Sequence, residues 1–271
     1  MTKLPRCLHP MGIRWCKMYI QMVITDLDRT LLKTDKTISD YTANILCRLR
    51  DKGIKLVFAT ARPQRTVKQF LGDVATDALI LHNGALVYTG DKLLARYGIG
   101  ARVKDQVLQA LHRDYPDTTI SVEIGDLNYA NFDMKAVWEY DEGVISDFTD
   151  LPNEPADKII VGVSSHKDIS RFATYLPHEL YIQMCDGNLG LIMHKSATKW
   201  TAIGDVSAYF GIPAAQAVAF GDDYNDITML QGCGIGVAVE NAIDEVKAAA
   251  DIICGSNDDD GVARWLEANL L

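Results

Sequence analysis

Two apolar runs in this chain break abruptly into carboxylates. Residues 19–24 (YIQMVI) lead into residues 26–28 (DLD), and residues 217–220 (AVAF) lead into residues 221–226 (GDDYND). An apolar run that ends in charged residues is typical of a buried strand that opens into a loop. In parallel α/β sheets, the loops at the carboxyl ends of the strands build the active site. The sequence therefore predicts that both acidic segments lie at one site on the edge of a parallel sheet.

The spacing of the first acidic pair has a chemical consequence. At an extended strand end, the side chains of Asp26 and Asp28 point to the same side and that of Leu27 points away. Two carboxylates held close together repel each other unless a cation or a shared proton neutralises them. Mg²⁺ binds carboxylate oxygens together with water and substrate phosphate, and Asp222 supplies a third ligand. If one carboxylate is nucleophile or ligand, its neighbour can protonate the leaving group, which is typical of phosphoryl transfer.

The order of the predicted elements indicates a doubly wound α/β fold. Strands at 19–25, 54–59 and 78–81 alternate with helices at 39–53 and 63–71. This alternation favours right-handed crossovers and a parallel sheet that helices cover on both faces.

From about residue 85 the pattern changes to a second α/β module, and the first pattern resumes only near Lys199. We therefore predict a discontinuous core domain of residues 18–84 and 187–271, with a cap domain of residues 85–186 inserted into it. Residues 1–17 show no periodicity and are expected to form a loose N-terminal extension. A cap over the acidic site would exclude water and contribute groups that select the substrate.

Four segments, taken together and in this order, resemble the motifs of the haloacid dehalogenase superfamily. They are residues 26–30 (DLDRT), residues 60–62 (TAR), Lys199 and residues 221–226 (GDDYND). The long insertion and the form of the segment ending at Leu230 resemble the Cof-type phosphatases, which carry an inserted α/β cap of the C2 type. The resemblance implies a Rossmann-like, doubly wound parallel sheet core with this cap.

The resemblance also implies roles for individual residues. Asp26 would attack phosphorus to form an aspartyl-phosphate, and Asp28 would act as general acid and then as general base. Mg²⁺ would be bound by Asp26, by the backbone carbonyl of Asp28 and by Asp222, with Asp223 as a further or neighbouring ligand. Asp226 and Arg62 would support this site. The phosphate would be held by donors from five residues: Leu27, Thr60, Ala61, Lys199 and Asn225.

Two residues depart from the family pattern. Arg29 stands where Gly is usual, so the loop after the nucleophile carries a side-chain constraint that Gly would avoid. Asp223 stands where a small residue is frequent, and its charge should favour cation binding beside the metal.

Structural explanations exist for each motif on its own. An Asp-x-Asp after a strand is explained by an Asx-turn, and Asp222 or Asn225 by the capping of a helix. Lys195 is the alternative to Lys199. We favour Lys199 because it lies near the start of a predicted helix, where the macrodipole favours a bound anion over a lysine.

Composition excludes several classes of function. A formal charge of −9 disfavours nucleic acid or an anionic membrane surface as the main partner, and the predicted partner is a small phosphorylated metabolite. The six cysteines form no Cys-x-x-Cys pair, and no apolar run approaches the length of a transmembrane helix, so a cytoplasmic location is predicted. No sequence feature indicates an oligomeric state.

These observations predict a Mg²⁺-dependent phosphatase of small phosphorylated metabolites, first of all sugar phosphates. Two alternatives remain open: a phosphomutase of the phosphomannomutase type, and a non-catalytic sensor that is phosphorylated stably on Asp26. Retention of Asp28 argues against the sensor, since a sensor needs no proton donor for a leaving group. The cap residues Glu123, Asn128 and Tyr129 are candidates for contacts with the substrate.

Overall fold

A computed structural model describes residues 19–72, 74–137, 143–185 and 188–271. The predicted N-terminal extension, residues 1–17, lies outside the described residues. The strands, in chain order, are β1 (Met22–Thr25), β2 (Lys55–Ala59), β3 (Ala78–Leu81), β4 (Leu86–Thr89), β5 (Lys92–Arg96), β6 (Ile120–Ile124), β7 (Leu127–Ala130), β8 (Val144–Ile145), β9 (Lys158–Gly162), β10 (Leu180–Cys185), β11 (Leu189–His194), β12 (Ala217–Gly221), β13 (Ile235–Ala238) and β14 (Ile252–Ile253).

The α-helices follow the alternation that the sequence predicts. They are α1 (Asp40–Asp51), α2 (Gln64–Leu71), α3 (Ala101–Asp114), α4 (Met134–Val137), α5 (His166–Ala173), α6 (Lys199–Phe210), α7 (Ile227–Gly232), α8 (Asp244–Ala249) and α9 (Gly261–Leu270). Within the described ranges, no helix is long and apolar enough to cross a membrane.

Among the described residues the strands form two sheets, and the first has eight strands in the order β14-β13-β12-β1-β2-β3-β4-β5. The strands from β14 to β3 are parallel, and β4 and β5 continue the sheet in antiparallel pairs. Strands β1 and β12 are buried at every position, as expected where helices cover both faces of a parallel sheet. Ile24, Phe58 and Phe220 lie in the hydrophobic core of this sheet.

The second sheet has six strands in the order β10-β11-β9-β6-β7-β8. Its hydrophobic core joins α3 and α5 to one face of the sheet, through residues such as Val107, Phe172 and Ile159. Because side chains alternate along a strand, Glu123 and Lys158, which stand opposite each other on β6 and β9, lie on the other face.

The two sheets divide the chain at different residues from those that the sequence indicated. The hairpin of β4 and β5, residues 86–96, extends the first sheet although it was assigned to the cap, and β11 belongs to the second sheet although it was assigned to the core. Local periodicity identifies a strand but does not reveal which neighbouring strand it pairs with, so it does not show which sheet the hairpin or β11 joins. We therefore propose that the inserted cap begins after β5 and ends after β11.

Candidate active site

The strand order brings the sequence motifs together. Strand β1 lies between β12 and β2, so the loops that follow these three parallel strands emerge side by side. The backbone N–H of Asp26 continues the ladder by donating to the carbonyl of Phe220 at 3.0 Å. Asp26, Thr60 and Asp222 therefore stand at neighbouring strand ends, as the two apolar runs predict for Asp26 and Asp222.

Three buried carboxylates form the centre of the site. Among the residues that the structure describes, Asp26, Asp222 and Asp226 offer oxygen atoms that all lie within 4.8 Å of one another. Burial, together with the charge of the other carboxylates, raises the pKa of Asp26 well above its ordinary value. Burial and the charge of Asp226 raise the pKa of Asp222 to about 6. A group of hard oxygen ligands with this excess of negative charge fits a divalent cation such as Mg²⁺.

Asp226, rather than Asp223, completes this carboxylate cluster. Asp223 is exposed, and its carboxylate accepts a hydrogen bond from the backbone N–H of Tyr224 at 2.8 Å. One carboxylate oxygen of Asp226 accepts from the backbone N–H groups of Asp222 and Asp223 at 2.9 and 3.2 Å. The predicted ligand Asp223 thus lies outside the cluster, and the residue predicted only to support the site lies inside it.

Lys199 is the cation that the sequence places at this site. It is the first residue of α6, after the N-cap Thr198, whose side chain accepts from the N–H of Thr201. Its buried ammonium group donates to Asp26 at 2.7 Å and to Asp226 at 2.6 Å. Burial works to lower the pKa of Lys199, but the two carboxylates outweigh burial and raise it. Lys195, the alternative lysine, is exposed.

Asp28 is held by two cations. Arg62 donates to its two carboxylate oxygens at 2.5 and 2.7 Å, and Lys36 donates at 2.8 Å. Burial works to raise the pKa of Asp28, but the hydrogen bonds from Arg62 and Lys36 outweigh burial and lower it. Arg62, predicted as a supporting residue, therefore contacts Asp28 directly. Lys36 was not predicted, because it lies eight residues beyond Asp28 in a loop without a motif.

Arg29 adopts the backbone conformation that favours Gly at this position. Its φ is +58°, in the left-handed region, which costs a non-glycine residue about 1–2 kcal/mol. The side chain of Asn241 donates to the carbonyl of Arg29 at 2.7 Å. The Arg29 guanidinium lies 3.8 Å from the Asp222 carboxylate, so it adds positive charge beside the cluster.

The residues predicted to donate hydrogen bonds to the phosphate differ in burial and in their present hydrogen-bond partners. Leu27 and Thr60 are buried, and the Thr60 hydroxyl oxygen accepts from the N–H of Arg62 at 3.2 Å. With that oxygen occupied as an acceptor, the hydroxyl proton remains available for an anion. Ala61 follows Thr60 in the same loop. One side-chain N–H of Asn225 donates to the side-chain oxygen of Asn83 at 2.8 Å, and the amide has a second N–H.

The turn of His82, Asn83 and Gly84 links β3 to this site. All three residues have positive φ values. His82 is buried, and burial with the nearby charge of Lys158 lowers its pKa well below the ordinary value. The contact of Asn83 with Asn225 places this turn beside the acidic loop.

Gly84→Ala is expected to destabilise the protein by at least about 2 kcal/mol. Gly84 has φ +104°, and a Cβ there would lie 2.2 Å from the carbonyl oxygen of Thr198, next to Lys199. Gly53→Ala is the matched control, because Gly53 has φ +81° but nothing within 4 Å of its Cβ position. Urea unfolding should show a larger loss for Gly84→Ala than for Gly53→Ala. Equal losses would mean that backbone conformation alone, and not the close approach to Thr198, makes Gly84 necessary.

Comparison with known proteins agrees with the site. The family model for haloacid dehalogenase-like hydrolases matches residues 23–266. The 5-amino-6-(5-phospho-D-ribitylamino)uracil phosphatase YitU of Bacillus subtilis is 27% identical over 261 residues, which cover 91% of this chain and 96% of that protein. The pyridoxal phosphate phosphatase YbhA of Escherichia coli is 27% identical over 289 residues, covering 94% of this chain and 100% of that protein.

A solved structure has the same architecture. The structure of the haloacid dehalogenase subclass IIB sugar phosphatase BT4131 superposes with a TM-score of 0.79 at 22% identity, and the match covers 92% of this chain and 98% of that one. This similarity confirms the predicted α/β core with an inserted cap.

Proposed function

Because the chain belongs to the haloacid dehalogenase-like hydrolase family, we propose that it is a Mg²⁺-dependent phosphatase of small phosphorylated metabolites that acts through a phospho-aspartate at Asp26. Membership in this family confirms the resemblance that the four sequence motifs indicated. It also confirms the predicted class of enzyme, a phosphatase of the haloacid dehalogenase type. The observation that carries the proposal is the position of Asp26, buried at the end of β1 and held by Lys199 beside Asp222.

The proposed reaction has two steps. A carboxylate oxygen of Asp26 attacks phosphorus, the bond from phosphorus to the leaving oxygen breaks, and Asp28 gives that oxygen a proton. A water molecule then attacks the phosphorus of phospho-Asp26, Asp28 takes the proton of the water, and Asp26 is released with inorganic phosphate. Asp28 lies two residues beyond the proposed nucleophile and is partly open to solvent, and it must exchange its ion pairs with Arg62 and Lys36 for a proton before it can act as the acid.

The proposed cation site consists of the carboxylates of Asp26 and Asp222 and the backbone carbonyl of Asp28. A bound Mg²⁺ would neutralise charge between the carboxylates and the phosphate. Asp226 has a different proposed role, because it already binds Lys199 and two backbone N–H groups and so fixes the acidic loop. Asp223, exposed and outside the carboxylate cluster, is no longer proposed as a ligand.

The proposed phosphate site consists of the N–H groups of Leu27 and Ala61, the Thr60 hydroxyl, the ammonium group of Lys199 and the amide of Asn225. Fixed donors of this kind stabilise the charge that builds up on the transferring phosphoryl group. Lys199 must share its protons between the phosphate and the two carboxylates that it contacts here. The amide of Asn225 has two N–H groups, so it can keep its bond to Asn83 and use the second N–H for phosphate.

Sugar phosphates are the first proposed substrates, and phosphate esters of heterocycles are the second. The names of YitU and YbhA refer to substrates with a uracil ring and with pyridoxal. Ile160 and Leu191 pair with each other on neighbouring strands of the cap sheet. They lie on the same face as Lys158, which donates to Ala61 of the core. Neither Ile160 nor Leu191 belongs to the hydrophobic core of the cap. Both side chains are buried here, so a planar ring would reach this apolar part of the face only after the residues that cover it move apart.

Phosphate release from a panel of sugar phosphates, pyridoxal phosphate and an aryl phosphate, with Mg²⁺ or with chelator, tests the proposed function. We expect release that needs Mg²⁺, and the ranking of substrates assigns the class. Isomerisation of a hexose phosphate that needs a bisphosphate activator and releases no net phosphate would instead indicate a phosphomutase. A stable phosphoryl group on Asp26 without release would indicate a sensor.

Asp222→Ala is expected to raise the Mg²⁺ concentration needed for half-maximal activity by at least about tenfold, because it removes a proposed ligand. Asp223→Ala is the matched control in the same loop, and its metal titration should stay within about twofold of wild type. The measurement is activity against Mg²⁺ concentration. An unchanged titration for Asp222→Ala would remove Asp222 from the proposed metal site.

A further inference from the structure

The cap forms hydrogen bonds with the loop that carries Thr60 and with the first turn of the helix that follows it. On the cap, Lys158 of β9 donates to the carbonyl of Ala61 at 3.2 Å. Glu123 of β6 accepts two hydrogen bonds from the guanidinium of Arg65, at 2.8 and 2.9 Å. Asp126, in the turn after β6, accepts from the backbone N–H of Arg65 at 3.2 Å. We refer to these five residues as the cap–loop contact.

The hydrogen bonds of the cap–loop contact restrict how the cap sheet sits on the loop. Glu123 is only 2% exposed, and a buried carboxylate with a bidentate arginine is a directional interaction. Lys158 stands opposite Glu123 on the neighbouring strand, so both come from one patch of the cap sheet. Asp126 also supplies an acceptor to the first turn of α2, whose own N-cap position is Pro63 without a side-chain cap.

The bond from Lys158 reaches Thr60 through one peptide group. The carbonyl of Ala61 and the N–H of Arg62 belong to the same rigid peptide plane. Lys158 binds the carbonyl of that plane, and the N–H of the plane donates to the hydroxyl oxygen of Thr60. Fixing the plane keeps this side of the Thr60 hydroxyl oxygen occupied, so the hydroxyl proton must point in one of the remaining directions.

We infer that Lys158 is a positioning residue of the phosphate site. By holding the peptide between Ala61 and Arg62, it presents the Thr60 hydroxyl proton to the phosphate. The phosphate site is then complete only while the cap sheet is seated on this loop, which couples the position of the cap to the binding of the phosphoryl group. The inference rests on the proposed phosphatase function.

Lys158→Met tests this inference because it keeps the length of the side chain and removes the donor. We expect the affinity for inorganic phosphate, titrated by calorimetry in the presence of Mg²⁺, to fall by about tenfold, with a similar fall in kcat/KM. Lys158→Arg should recover part of the loss, because a guanidinium can also donate to the carbonyl of Ala61. Lys167→Met is the matched control, an exposed cap lysine on α5 that should behave as wild type.

Thr60→Val separates positioning from a general effect on folding or charge. If Lys158 acts through the Thr60 hydroxyl, Lys158→Met should weaken phosphate binding by no more than about twofold when the hydroxyl is already absent. Full additivity of the two changes would overturn the inference, and so would unchanged phosphate binding in Lys158→Met. Thermal unfolding of each variant identifies any loss that comes from misfolding.

The two proposals fail in different ways. Absence of metal-dependent phosphate release by the wild-type protein, with no binding of inorganic phosphate, would overturn the proposed function and this inference with it. If the wild-type protein is active and Lys158→Met binds inorganic phosphate as tightly as wild type, only the positioning role would be overturned.

Discussion

Asp26→Asn should reduce metal-dependent phosphate release by at least about 10⁴-fold, the scale of loss seen when a catalytic nucleophile is removed. The amide keeps the shape of the side chain but is a poor nucleophile, so no phospho-enzyme can form. Asp26 is buried and contacts Lys199, so the variant also loses one ion pair while Asp226 still holds the lysine. The fold should therefore survive, and circular dichroism with thermal unfolding should show a native transition.

Asp35→Asn is the matched control for this result. Asp35 is an exposed carboxylate in the loop that follows the same strand, and its side chain accepts from Thr37. Its activity should stay within about twofold of wild type. Turnover of Asp26→Asn above about one hundredth of the wild-type rate, after exclusion of deamidation by mass spectrometry, would rule out covalent catalysis by Asp26.

The arrangement of strand ends could be predicted from the sequence because it depends on a strong and local signal. An all-apolar run that ends in carboxylates marks a buried strand and its loop, and parallel strands place such loops on one edge. Asp26 and Asp222 meet in the structure for this reason, whereas Lys199 reaches them from the first turn of α6. The start of helix α1 could also be predicted from local sequence, because Ser39 caps the helix by accepting a hydrogen bond from the N–H of Thr42.

The sequence signal did not show that Asp226, and not Asp223, belongs to the carboxylate cluster. A Cβ on Gly221 would lie 2.4 Å from the Cβ of Asp226, so the missing side chain lets Asp226 pack against the backbone. Its carboxylate then turns back to the N–H groups of Asp222 and Asp223. Glycine before the acidic loop was visible in the sequence, but the direction in which the loop folds back is a tertiary contact.

The same limit applies to the cap. Glu123, Asn128 and Tyr129 were candidates for contacts with the substrate. Alternation along β7 places Tyr129 on the opposite face from Asn128, against the hydrophobic core of the cap. Glu123 is on the expected face, and its partner is Arg65 of the core domain. A pattern of alternation separates the two faces of a strand, but only the assembled sheet shows which face meets the core.

Lys199→Met should lower the free energy of unfolding by about 3–5 kcal/mol in the presence of chelator, because it leaves two buried carboxylates without their cation. Lys199 is fully buried between Asp26 and Asp226, and methionine fills the space without supplying charge. Urea unfolding near neutral pH measures the loss. Lys195→Met, a change of the same type at an exposed site, should cost less than about 0.5 kcal/mol.

The loss in Lys199→Met should also depend on pH in a defined direction. Burial already raises the pKa of Asp26 well above its ordinary value in the folded protein, and removal of the lysine raises it further. A carboxyl group whose pKa is higher in the folded than in the unfolded state favours folding at low pH, and that contribution is lost as the pH rises through the folded-state pKa. The variant should therefore approach wild-type stability at acidic pH and fall away from it towards pH 8. Added Mg²⁺ should return part of the stability near neutral pH, because a ligand that binds only the folded state stabilises it. A constant difference between variant and wild type across this range would mean that the carboxylates do not carry the cost, and that Lys199 contributes mainly by filling space.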